Sequence, residues 1–288
     1  MRAQNKRNGP GAKTLILVGL CVAAAFAVLC LAFEVVGSIL GKTGTSGEED
    51  APQPQSGILE GLAKNEYDLT CFSKEDGFIV YSGEETARRG IDVSSHQGTI
   101  DWAAVAADGV EYAIIRVGYR GYTQGDTALD ELFYENVGGA LENGIEVGVY
   151  FFSQAITEEE AVEEAEIVLR AIEGLKITYP VVFDWEDIQG EARTDGMDPV
   201  TLTNCALAFC ETIEAAGYPA CIYFNQAFGY QQYNLLALDD YIFWLAQLDD
   251  VPNFYYDFQM WQYTHEGEVN GIEGPVDLNL SFWQPENP

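Results

Sequence analysis

The stretch Pro180-Val-Val-Phe-Asp-Trp-Glu-Asp187, "PVVFDWED", is an apolar run that ends in three carboxylates. Its composition and its Pro boundary read as a buried β-strand. Charged groups are costly to bury, so a strand that finishes this way needs a reason for its polar end. Working outward, similar short apolar runs recur at 91–94, 112–117, 147–152, 181–185, 220–224, 242–246, 258–263 and near 276–280. Helical patterns fall between the earlier ones, at 102–107, 131–142, 158–172 and 199–216. Thr157 and Glu160 have capping-box spacing, and Asp198-Pro199 places a cap before a proline at the first helical position. Strands alternating with helices predict a mostly parallel sheet covered on both faces. About eight such strands predict an α/β fold, an irregular (β/α) TIM-like barrel. The crossovers after the fifth strand are short, which predicts a barrel incomplete in its last third.

In such a barrel the working residues sit at the C-terminal ends of the strands. Polar residues fall at that end repeatedly: Asp92, Arg116, Tyr150, Asp184 and Glu186, Tyr223 and Asp277. Strand alternation puts Asp184 and Glu186 on one face, with Cα atoms about 6–7 Å apart, and turns Trp185 and Asp187 away. Two carboxyls in one desolvated site push their pKa values apart, so that one keeps a proton near neutral pH. Glycoside hydrolysis needs this combination of an acid and a charged carboxylate. Taken singly, each residue has a structural reading. "DWED" is then a strand end with capping or solvated acids, and Asp92 and Asp277 are turn supports. Trp185, Trp244, Trp261, Tyr119, Tyr122 and Tyr263 are then core aromatics, and His96 makes a local loop hydrogen bond. Arg116 reads as the partner that makes clustered carboxylates tolerable.

The composition narrows the setting. The 288 residues carry 14 Lys and Arg against 46 Asp and Glu, a formal charge of −32, with no Lys or Arg after Arg193. Phosphate binding depends on Lys and Arg, so nucleic acid is excluded as a partner. Arg2, Lys6, Arg7 and Lys13 precede an apolar run of 20 uncharged residues at 14–33, about one bilayer span. The expected organisation is a cytoplasmic tail at 1–13, a retained transmembrane signal anchor at 14–36 and a flexible linker at 37–57. A lead-in segment at 58–87, with a hairpin at Asp76-Gly77, and a catalytic domain at 88–288 then lie outside the cell. A cleavable signal peptide is the alternative, although its apolar region is usually only about 7–15 residues. Cys71, Cys205, Cys210 and Cys221 lie beyond the run, and either bridges or buried thiols fit their surroundings. With His96 and His265 as the only histidines and no C-x-x-C spacing, neither a metal nor a cofactor is expected.

At these residues the sequence resembles the glycoside hydrolase family 25 lysozymes. The resemblance runs from about Gly90 to Phe282, through "RGIDVSSHQGTIDW", "YAIIRVGYRGYTQG", "GIEVGVYFFSQA", "YPVVFDWEDI", "CIYFN", "FWLAQ" and "MWQYTHEGEVNGIEGPVDLNLSF". It implies an N-acetylmuramidase of a bacterial cell envelope. Such an enzyme cleaves the β-1,4 bond between N-acetylmuramic acid and N-acetylglucosamine in peptidoglycan, with retention of configuration. Glu186 then matches the general acid and Asp184 the carboxylate that orients the 2-acetamido group. Asp92 and Asp277 match two further acids of the cleft, and Tyr150 a support of the reacting sugar. Arg116, Tyr223 and Trp261 are the remaining candidate supports of the substrate. One departure stands out: the family often carries Trp-x-Ala-x-Tyr where this chain ends the segment in Leu248. The expected partners are peptidoglycan strands and, through the N-terminal helix, a membrane, with the protein a monomer. The rival reading is a catalytically weak glycan-binding envelope module on the same barrel.

Overall fold

The structure, a computed structural model, describes residues 59–285. The expected tail, anchor and linker at 1–57 lie outside the described residues, where the apolar run falls. Among the described residues no helix is long and apolar enough to cross a membrane.

The lead-in forms the expected hairpin, β1 (Phe72–Glu75) paired antiparallel with β2 (Phe78–Tyr81). Asp76 and Gly77 both adopt positive φ, 50° and 89°, the pattern of a tight hairpin turn. The barrel then starts at β3 (Arg88–Val93), followed by α1 (Trp102–Ala107) and β4 (Tyr112–Arg120). Next come a short β5 (Thr127–Leu129), α2 (Phe133–Glu142), β6 (Glu146–Ser153), α3 (Glu158–Ile172) and β7 (Val181–Trp185). The second half holds α4 (Pro199–Ala215), β8 (Ala220–Asn225), α5 (Gln226–Gln231), β9 (Ile242–Ala246), β10 (Met260–Gly267) and β11 (Val276–Ser281). Asp101, Thr157 and Asp198 cap their helices, each accepting a backbone N–H of the first turn. Glu160 completes the α3 cap one residue early, taking the N–H of Ile156 at 2.9 Å.

The sheet closes. Its order is β3-β11-β10-β9-β8-β7-β6-β4, and β4 pairs back to β3 in parallel register. The expectation of an incomplete last third is therefore wrong for the sheet and right only for its cover. β11 runs antiparallel to both β10 and β3 and seals the cylinder. No helix separates β9 from β10 or β10 from β11. Strand β5, which the sequence did not suggest, is a three-residue antiparallel addition on the end of β4.

The lead-in supplies the missing cover. Phe72 meets the indole of Trp261 edge-on at 5.5 Å, and Tyr67 stacks on Phe282 at 3.9 Å. The Ile79 N–H donates to the Tyr263 hydroxyl, and the Tyr67 hydroxyl donates to the Phe258 carbonyl at 2.7 Å. Inside the barrel a separate apolar plug forms from Tyr112, Ile114, Tyr179, Val182, Cys221, Trp244 and Met260. Tyr112 and Tyr179 lie face to face at 4.3 Å within it. This plug shuts the barrel below its polar end, so the interior is a packed core and not a pore. Cys71, Cys205, Cys210 and Cys221 are free thiols, the last three buried.

Candidate active site

Above the plug the inward side chains turn polar. Asp92 and Asp277 are direct cross-strand partners on β3 and β11. Because β11 is antiparallel, Asp277 stands near the start of its strand and still reaches the end where the parallel strands finish. Asp92 Oδ2 accepts the amides of Gln262 at 2.9 Å and Asn279 at 2.8 Å. Gln262 in turn accepts the Tyr223 hydroxyl at 2.7 Å, and Asn279 accepts the Trp244 indole N–H at 3.0 Å. Burial, then the charge of Asp92 and a hydrogen bond to it, pushes Asp277 up to about 9. Burial raises Asp92 as well, opposed by its bonds to Asn279, Gln262 and Asp277. Asp92 is therefore the charged member of the pair, and Asp277 holds the proton and donates it.

Asp184, the inward residue near the end of β7, is 6 % exposed, and its Oδ1 has no hydrogen-bond partner. Burial raises its pKa well above the usual range, and the charges of Glu186 and Asp92 add to this while Arg116 opposes it. Glu186 lies one residue beyond the strand. Its side chain is open to solvent, yet it stands among walls of protein that desolvate it. That crowding, with the Asp92 charge, pushes it up to about 7. Solvent exposure decides whether a ligand can reach Glu186; the surrounding protein decides the direction of its shift. As alternation requires, Trp185 turns outward, packs against Phe228 and donates to the Ala155 carbonyl at 3.1 Å. Asp187 is exposed.

Tyr150, half-buried, stands in register with Arg116 on β4 and with Val182 on β7, on the inner face. Tyr223 is likewise half-buried on the inner face of β8. Burial raises both phenols well above their ordinary value, so neither ionises near neutral pH.

Two sequence-based assignments are corrected. Arg116 does not bond the clustered acids. Its guanidinium binds Asp130, at 2.9 Å through Nε and 2.7 Å through Nη2, and donates to the Ser95 hydroxyl. Asp130 also accepts the N–H groups of Ser95 and Leu132. Burial works against its charge, but these bonds win and hold it below the usual range. Arg116 therefore acts on Asp184 through space alone. Trp261, in turn, is no part of the cleft: it is fully buried on the outer face of β10 against Phe72, with its indole N–H on the Gln247 carbonyl. The inward residue of that pair is Gln262. Alternation alone left the parity of "MWQY" open, because an aromatic suits either face. Asp130 and Asn279 were also missed, and only their contacts with Arg116 and Asp92 identify them. Leu248 is exposed two residues past β9, and His96 is exposed beside Ser94, whose hydroxyl takes its N–H. Among the described residues no group of three or more His, Cys, Asp or Glu is arranged to hold a metal.

Fold and site together define a closed β/α barrel with a carboxylate cluster at its open rim. The family model for glycosyl hydrolases family 25 matches residues 91–272, more than half of the chain, and the chain belongs to that family. It is 28 % identical over 192 residues to the autolytic lysozyme of Clostridium acetobutylicum, covering 66 % of this chain and 55 % of that one. It is 27 % identical over 204 residues to lysozyme M1 of Streptomyces globisporus, covering 66 % of each. The modular autolysin LytC from Streptococcus pneumoniae superposes with a TM-score of 0.59 at 27 % identity, over 73 % of this chain and 51 % of that one. The chain thus spans about half the length of the first of these relatives and of LytC.

Proposed function

We propose that this protein is a peptidoglycan muramidase, with Glu186 as acid and base and Asp184 as its partner. The observation that carries this reading is the pair of raised carboxyls at the end of β7, one exposed and one buried with an unpartnered oxygen. Before substrate binds, the desolvated Asp184 competes with Glu186 for protons. A substrate 2-acetamido N–H donating to Asp184 Oδ1 stabilises the Asp184 anion and leaves the proton on Glu186. Glu186 then protonates the glycosidic oxygen as its bond to the anomeric carbon breaks. The acetamido carbonyl oxygen closes on that carbon from the opposite face. Water, giving its proton to Glu186, opens the ring so formed, and configuration is retained. Tyr150 and Tyr223 support the reacting sugar beside the Asp92–Asp277 pair, and Arg116 draws Asp184 toward its charged state.

The test is digestion of purified peptidoglycan, reduction of the new ends and mass analysis. Reduced muramic acid ends are expected. Reduced glucosamine ends would mean glucosaminidase specificity, and no release would leave only a glycan-binding module. Glu186→Gln should lower kcat by about 10²–10⁴-fold. With Glu186 titrating at about 7, kcat/KM of the native protein should fall as pH rises through that value.

The basic residues before the apolar run at 14–33 support an envelope setting, with a single membrane pass at 14–36, a cytoplasmic N-terminus and the barrel outside as a monomer. Protease shaving of intact cells tests it: release of the barrel is expected, and full protection would reverse the orientation.

A further inference from the structure

Glu186 lies just past the last ladder pair of β6 and β7, Ser153 with Trp185, so no further ladder pair fixes its carbonyl. The residue after Ser153 is Gln154, whose side chain is fully buried. Its Nε2 donates to the Glu186 carbonyl at 2.8 Å, extending the ladder by one bond with a side-chain amide in place of a backbone N–H. Gln154 is held on its other sides. Its Oε1 accepts the buried Thr194 hydroxyl at 3.1 Å, and its backbone carbonyl accepts Arg193 Nη1 at 3.0 Å. Arg193, the last Lys or Arg of the chain, also pairs with Glu160 at 2.6 Å and gives its N–H to the Tyr122 carbonyl. Arg120 binds the same end of α3 through Glu164 at 2.6 Å and the Glu160 carbonyl at 3.1 Å.

We propose that Gln154, set by Thr194 and Arg193, is a positioning residue that fixes the main chain of Glu186 so that its carboxyl meets the leaving-group oxygen. This rests on the reading of Glu186 as the acid. Fixing the peptide matters because an acid displaced by about 1 Å loses proton-transfer efficiency out of proportion to any loss of binding.

The test compares a natural glycan strand with a 2,4-dinitrophenyl glycoside of the same disaccharide, whose leaving group departs without protonation. Gln154→Met keeps the length of the side chain and removes the donor. It should lower kcat on the glycan by about 10- to 100-fold, with KM changed by less than about twofold. On the dinitrophenyl substrate the loss in kcat/KM, which reports departure of the leaving group and not the later ring opening that uses Glu186 as base, should stay below about threefold. Thr194→Val should show the same selectivity with a smaller loss, and it keeps the proposal testable if Gln154→Met does not fold. Equal losses on both substrates, or a change confined to KM, would overturn the positioning role. Glu186→Gln, run alongside, separates the two claims. If it loses the glycan reaction selectively while Gln154→Met and Thr194→Val do not, only the positioning role fails. If it retains the glycan reaction, the acid assignment fails and takes the positioning role with it.

Discussion

Asp277 shares a proton with Asp92 in a space that gives carboxylates little solvation, and this sets a sign for stability against pH. A carboxyl raised in the folded state binds its proton more tightly there than in the unfolded chain, whose value lies near 4. Its contribution is therefore fully present below about pH 4 and lost as pH rises toward the folded value, about 9 for Asp277. Asp277→Asn retains a donor toward Asp92 and removes the ionisable group. It should raise Tm at pH 8 by roughly 2–4 °C, with the gain vanishing near pH 4, as read by calorimetry. A lower Tm at pH 8 would contradict the shared proton. At this scale the sequence exposed the acids, because acids at strand ends break an apolar pattern. It hid their partners: Gln262 and Asn279 look like ordinary strand residues until register brings them to Asp92. Arg116 was misassigned because its acid, Asp130, lies just past the three-residue β5, in a turn with no periodic signal.

Among the elements, the hairpin of β1 and β2 does the work of absent helices. It lies outside the family match, yet its Phe72 covers Trp261 on the outer face of β10, while Tyr67, just before the hairpin, stacks on Phe282, the residue after β11. Phe72→Ala should cost about 3 kcal/mol in urea unfolding and leave kcat of the folded protein unchanged. A cost below about 1 kcal/mol would show that the hairpin only rests on the barrel. The parallel strands and the first four helices were legible because periodicity and caps are local signals. Closure was not, since the reversal of β11 depends on pairing with β3, nearly two hundred residues away.

For the whole molecule, charge is the dominant long-range property. From Arg88 onward 35 acidic residues face 7 basic ones, so an anionic wall repels this domain. Salt shortens the range of that repulsion, from about 30 Å at 0.01 M to about 8 Å at 0.15 M. Turnover of an anionic cell-wall preparation should therefore rise roughly two- to fivefold over that interval. A fall with salt would mean that a local cationic contact dominates. Closure has a consequence of its own. The acids of the cleft come from the first and last strands of the barrel as well as from its middle, so a chain interrupted before residue 277 carries Glu186 without the partner of Asp92. A ribosome making this protein therefore holds a chain whose carboxylate cluster is incomplete until the closing strand has emerged.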